Sequence, residues 1–144
     1  MKTLVTAILA STAIAAQLFE SEPNGYSSIQ IDEDGQTKTL YVAMDTTGSY
    51  GTTLKVPYNK RAMLLTASEL SPSNFYRPNL LGGSVEFDVD LSLANCGCIA
   101  AFYLVSAPGK DKNGNYWNTD GYYYCDGNQV GGNYCPEFDI MEAN

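Results

Sequence analysis

Glu137-Phe-Asp-Ile-Met-Glu142 crowds three carboxylates into six residues, and the stretch can be read as helix or as strand. On a helix, five positions turn Glu142 about 140° away from Glu137, so the acids never meet. On a regular strand Glu137 and Asp139 share a face and Glu142 points to the other. One β-bulge between Asp139 and Glu142 restores all three to one face, and bulges often re-aim side chains at active sites. Only the bulged strand lets the three acids act together, and it predicts a β framework around them.

The rest of the chain agrees with that class. Residues 39–43 and 52–56 are rich in β-branched and aromatic residues, with Thr46-Thr-Gly-Ser-Tyr-Gly51 between them as a loop. Residues 61–67 form another short apolar run, and residues 84–92 alternate most cleanly. There Val85, Phe87, Val89 and Leu91 point one way, and Glu86, Asp88, Asp90 and Ser92 the other. The acids of that run suit a solvated or cleft-facing strand surface, with a calcium site as the rival. Residues 98–105 are continuously apolar and predict a strand covered on both faces. Residues 17–35 look polar with little periodicity, whereas residues 107–134 are dominated by Gly, Asn, Asp and Tyr. So long a stretch without elements of its own suits a functional loop. No repeat, heptad or amphipathic helix stands out. The expected architecture is all-β, a sandwich of short strands in one domain.

Met1-Lys2, an uncharged Leu-, Val-, Ile- and Ala-rich run and Ala13-Ile-Ala15 together read as a signal peptide over residues 1–16. The protein is therefore expected to be secreted, with residues 17–144 as the mature portion. The net charge of −8 becomes −9 once Lys2 is removed. Such a chain repels phosphate backbones and anionic lipid, which argues against nucleic acid and membrane as partners and leaves neutral polymers open. With no histidine in the chain, Ser-His-Asp and Cys-His nucleophiles and the commonest zinc sets are excluded. Cys96, Cys98, Cys125 and Cys135 behind a signal peptide read as two disulfides, with three connectivities open. A four-thiolate zinc site lacks its usual knuckle spacing. No metal and no cofactor are expected.

Two carboxyls about 5–5.5 Å apart are what retaining glycosidases require: one attacks the anomeric carbon and the other protonates the leaving oxygen. A third acid between them can hold the nucleophile and keep the two protonation states apart.

Cys135-Pro-Glu-Phe-Asp-Ile-Met-Glu-Ala-Asn144 resembles the catalytic strand of glycoside hydrolase family 7, which carries Glu-x-Asp-x-x-Glu-Ala-Asn just after a cysteine. Upstream, Asn79-Leu-Leu-Gly-Gly-Ser-Val-Glu-Phe-Asp-Val-Asp-Leu-Ser92 resembles that family's Leu-Leu-Gly strand. Cys96-Gly97 followed by Ala101-Phe-Tyr-Leu-Val-Ser106 is similar to its Cys-Gly strand, and Tyr124-Cys-Asp126 to its Tyr-Cys-Asp turn. The resemblance runs in order over residues 61–144. It implies a concanavalin-like β-jelly roll whose open cleft binds β-1,4-glucan, acting as a monomer. It makes Glu137 the nucleophile, Asp139 its hydrogen-bonding helper and Glu142 the general acid/base. Arg61, Tyr103, Tyr124 and Asp126 match positions that contact the sugar, and a Cys125–Cys135 disulfide is implied.

The chain departs from the family in several places. It has one tryptophan, Trp117, and Ile99 replaces a polar sugar contact. The family's far partner for Cys96 is missing, and Cys98 lies about 7 Å along a strand from it, beyond usual disulfide reach. The chain covers the front part of such a domain, which makes it an expected fragment with little turnover. The rivals are a laminarinase-type β-1,3-glucanase, which shares the Glu-x-Asp-x-x-Glu strand, and a non-catalytic secreted carbohydrate-binding protein using the tyrosine-rich loop.

Overall fold

The computed structural model describes residues 26–43, 48–94, 97–118 and 121–144. The expected signal segment and Cys96 lie outside those residues. The elements described are all strands: β1 (Ser27–Glu33), β2 (Gln36–Ala43), β3 (Gly48–Tyr50), β4 (Thr53–Lys55), β5 (Met63–Leu65), β6 (Ala100–Val105) and β7 (Glu137–Ala143). They form three antiparallel sheets, ordered β1-β2-β5, β3-β4 and β6-β7. The protein is all-β, without a helix among the described residues. Two compact units divide these sheets. The first holds the described residues up to Leu70 with Tyr76–Ser92, and the second holds Ser71–Phe75 with Leu93–Asn144.

The first unit is built on a hairpin that the sequence reading passed over. β1 and β2 pair from Glu33↔Gln36 outward, so Asp34 and Gly35 alone make the turn. Both take positive φ, 55° and 76°, as the two-residue type I′ turn requires. Asp32 Oδ1 accepts the Gly35 N–H at 2.8 Å and closes it. From that turn the period of two takes over. Ile29 and Ile31 lie on the same face as Leu40 and Val42, with Ile29 directly opposite Leu40. These four are the buried core, and Leu54, Ala62, Leu64, Tyr76 and Val85 pack against them. Burying side chains of this size contributes roughly 1.5–3 kcal/mol each, which makes this face the unit's main source of stability. β5 adds to the other edge of β2 through Tyr41↔Leu65, Val42↔Leu64 and Ala43↔Met63. The Tyr76 N–H then donates to the Leu64 carbonyl at 2.9 Å, extending the contact beyond the ladder.

The expected strands at 39–43, 52–56, 61–67 and 98–105 correspond to β2, β4, β5 and β6. Residues 84–92 correct the expectation: they form no ladder with any described strand. Their alternation still sorts side chains over residues 84–88, where Val85 packs on the core while Glu86 and Asp88 stay exposed, but not beyond, where Val89 is exposed and Asp90 half-buried. Alternation specifies faces, whereas a strand also needs a neighbour's N–H and C=O groups in register. β6 was expected to be covered on both faces, but Ala101 is exposed and its other residues are half-buried.

Glu33 lies on the core face of β1, is 8% exposed, and pairs with Lys38. The neighbouring Tyr76 phenol is pushed up to about 12, first by burial and then by the charge of Glu33. Its folded value lies above the ordinary 10.0 of a free phenol, so the contribution is complete below pH 10 and is lost as pH rises through 12. Thermal melts between those limits are expected to show a steeper alkaline loss in the native chain than in Tyr76→Phe. Parallel curves would remove Tyr76 as the cause.

Candidate functional site

The second unit carries the acids on β7, paired antiparallel with β6. Glu137 stands opposite Val105 and Asp139 opposite Tyr103; beyond the register shift, Met141 stands opposite Phe102 and Glu142 opposite Ala101. Ile140 has no partner and is the extra residue of the bulge. Positions 101, 103 and 105 alternate onto one face of β6, so their partners Glu137, Asp139 and Glu142 share that face. The bulge expected between Asp139 and Glu142 is present. Asp139 and Glu142 are exposed and Glu137 is half-buried, so solvent reaches the row. Tyr103 is on the same face, directly across from Asp139 and within reach of cross-strand contact. The opposite face is apolar and carries Phe102, Leu104, Phe138 and Met141.

Val105 and Ala101 are four residues apart, which separates the backbones of Glu137 and Glu142 by about 13 Å along the strand. For their carboxyls to approach the 5–5.5 Å that a retaining pair needs (about two strand residues), the two side chains must lean toward each other over Asp139.

Glu137 is held from outside the sheet. Its Oε2 accepts the Gly127 N–H at 2.8 Å, across ten residues of sequence. Gly127 belongs to a loop closed by the Cys125–Cys135 disulfide, whose Cα atoms are 5.4 Å apart. Two backbone bonds run beside the disulfide, from Asp126 N–H to the Asn133 carbonyl at 3.3 Å and from Cys135 N–H to the Asp126 carbonyl at 3.1 Å. Below it, the Ser106 N–H donates to the Pro136 carbonyl at 3.0 Å, carrying the β6–β7 pairing into the loop. Gly109 lies under the same crossing. A Cβ there would stand 2.5 Å from Asn133 Nδ2 and 3.1 Å from Cys125 Cβ, so a side chain would displace Asn133 and press on the disulfide.

The tyrosine-rich loop supplies an aromatic group. Tyr123 meets Tyr116 edge-on at 6.2 Å and Phe75 at 6.4 Å, and Lys110 Nζ sits 5.4 Å over the Tyr116 ring. Tyr116 remains 54% exposed. A tight turn between Lys110 and Tyr116, which form an isolated bridge, presents it. Asp111 accepts the Asn115 and Asn113 N–H groups there, and its pKa is lowered, chiefly by the Asn115 bond.

Of the residues expected at the site, Glu137, Asp139, Glu142 and Tyr103 are brought together on one face. Tyr124 and Asp126, expected as sugar contacts, are buried at 8% and 2% exposure instead. The Tyr124 ring packs against Gly131, and the Asp126 carboxylate accepts the Val130 N–H. Arg61 belongs to the first unit, two residues before β5. The cysteine pairing implied by resemblance, Cys125–Cys135, is present, whereas Cys98 is a free thiol rather than half of a second disulfide. No group of three or more metal-ligating side chains forms among the described residues, Glu86, Asp88 and Asp90 included. Gly127 was not foreseen, because a backbone N–H leaves no mark on residue type. No protein-family model, curated protein or solved structure matches the chain.

A disulfide closing a loop this short stabilises by roughly 2–3 kcal/mol through lost chain entropy. Replacing both Cys125 and Cys135 by Ser is expected to lower the unfolding free energy of the second unit by about that amount in urea titrations. Fluorescence of Trp117, which lies in that unit, provides the readout.

Proposed function

We propose that this chain carries the catalytic strand of a secreted, retaining β-1,4-glucan hydrolase of the glycoside hydrolase family 7 type, on a concanavalin-like jelly roll. The observation that carries the reading is the bulge at Ile140, which aligns Glu137, Asp139 and Glu142 on one solvent-facing row with Tyr103 across from the middle acid. A structural β-bulge has no need of three like charges on one face, since adjacent carboxylates repel. A double displacement needs two of them, and a third between the two can hold the nucleophile.

In that mechanism a Glu137 oxygen attacks the anomeric carbon while Glu142 gives its proton to the departing glycosidic oxygen. The products are a glycosyl ester on Glu137 and a free sugar hydroxyl. Glu142, now a carboxylate, takes a proton from water as the water oxygen attacks the same carbon. The ester breaks, Glu137 is regenerated, and two inversions leave the configuration retained. Asp139 lies between the two and serves as hydrogen-bonding helper to the nucleophile. The chemistry consumes only water and needs no cofactor. The acidic chain accepts a neutral polysaccharide without the repulsion it would exert on an anionic polymer.

A second reading, glucan binding without turnover, draws on the exposed Tyr116 ring, which Tyr123 holds edge-on. A 2-deoxy-2-fluoro-β-cellobioside with a dinitrophenolate leaving group separates the two. Fluorine slows both chemical steps, and the leaving group needs no proton, so a nucleophile accumulates as its glycosyl ester. Peptide mass mapping is expected to find the adduct on Glu137, to lose it in Glu137→Gln and to keep it in Glu142→Gln. Retention on cellulose by the Glu137→Gln, Glu142→Gln double variant, with no adduct on the native chain, would favour binding alone.

A further inference from the structure

Asp126 has a carboxylate that the proposed chemistry does not use, in a place where a charge is costly. It is 2% exposed, and a buried carboxylate is tolerated when hydrogen bonds compensate for its lost water. Among the described residues the compensation comes from one amide: the Val130 N–H is shared between Oδ1 at 3.0 Å and Oδ2 at 3.1 Å. That bond closes residues 126–130 into a turn. The backbone of Asp126 is fastened on both sides as well, to Asn133 and to Cys135, which makes the isolated parallel bridge Asp126↔Tyr134. With the Cys125–Cys135 disulfide alongside, residue 126 is pinned by its side chain, its N–H and its carbonyl.

The next amide in the chain is the one that meets Glu137. Gly127 N–H reaches Glu137 Oε2 at 2.8 Å, and a Cβ on Gly127 would stand 3.1 Å from that oxygen and 3.5 Å from Glu137 Cβ. The approach is therefore close, and a residue with a side chain would press on the carboxylate. A free glutamate side chain samples many rotamers. A fixed donor on one oxygen orients the group and leaves the other oxygen to react.

We infer that Asp126 is a positioning residue for Glu137, acting through the Gly127 amide, and not a sugar contact. This rests on Glu137 being the nucleophile of the proposed function; the hydrogen-bonded link itself does not.

Two measurements on the full chain test it, and each can fail separately. In the first, the pH titration of the Gly127 amide resonance is followed in Asp126→Asn, which cannot ionise at 126 but can still accept from Val130. The Gly127 resonance is expected to titrate in that variant and to stop when Glu137→Gln is added. A Gly127 resonance indifferent to Glu137→Gln overturns the link. In the second, the fluorocellobioside labelling rate is expected to fall roughly 10–100-fold in Asp126→Ala, the size of effect that misplacing a reacting group produces. Its dissociation constant should not move, and Asp126→Asn should restore most of the rate. Weakened fluorocellobioside binding in both variants would make Asp126 a sugar contact and overturn the inference. If Asp126→Ala does not fold, Val130→Pro, which removes the amide that Asp126 accepts from, takes its place: a slowed rate with an unmoved dissociation constant supports positioning, and a native rate overturns it. If the native chain is never labelled, the glycosidase reading fails, and the amide titration still decides the link.

Discussion

Side chains on a strand alternate between its faces, so acids five residues apart oppose each other unless one residue is left out of the pairing. Everything at the candidate site depends on that omission. Ile140 is the residue left out, and with it Glu142 crosses from the apolar side of the β6–β7 pair to the side of Glu137 and Asp139. Without the register shift the row would hold two acids, and the third would project among Phe102, Leu104 and Phe138. The pairing on either side of the bulge also places Tyr103 against Asp139, the middle of the row.

The loop between β6 and β7 serves the same end by other means. Its described residues make isolated bridges rather than a ladder, and covalent and side-chain ties add to them. The Cys125–Cys135 disulfide fixes its neck, Asp126 closes its turn, and Gly109 lets its two halves approach. Glu137 gains a backbone partner through this loop, while Asp139 and Glu142 stay open to solvent. Glu137, the proposed nucleophile, is thus the most constrained of the three acids.

Much of this was legible in the residues, and the reasons for the rest are specific. The bulge could be read because three carboxylates at that spacing make chemical sense in one geometry only. The hairpin of β1 and β2 was missed, although Asp34-Gly35 between Ile29-Gln-Ile31 and Leu40-Tyr-Val42 is a strong turn signal. Asp32, Glu33 and Asp34 made the stretch look polar, and Glu33 in fact faces the core with Lys38 as its partner. Residues 84–92 failed in the opposite direction, because their perfect alternation describes faces and says nothing of a neighbouring strand. The burial of Asp126, which the resemblance matches to a sugar contact, was not legible, since it depends on the Val130 amide, which the sequence does not reveal.

The most direct test of the central claim is the register of β6 against β7, read from cross-strand nuclear Overhauser contacts. A bulge at Ile140 requires contacts between Tyr103 and Asp139 and between Ala101 and Glu142. Contacts of Tyr103 with Asp139 but of Ala101 with Met141 would mean an unbroken ladder. Glu142 would then lie on the apolar face, and the three carboxylates would not form one site.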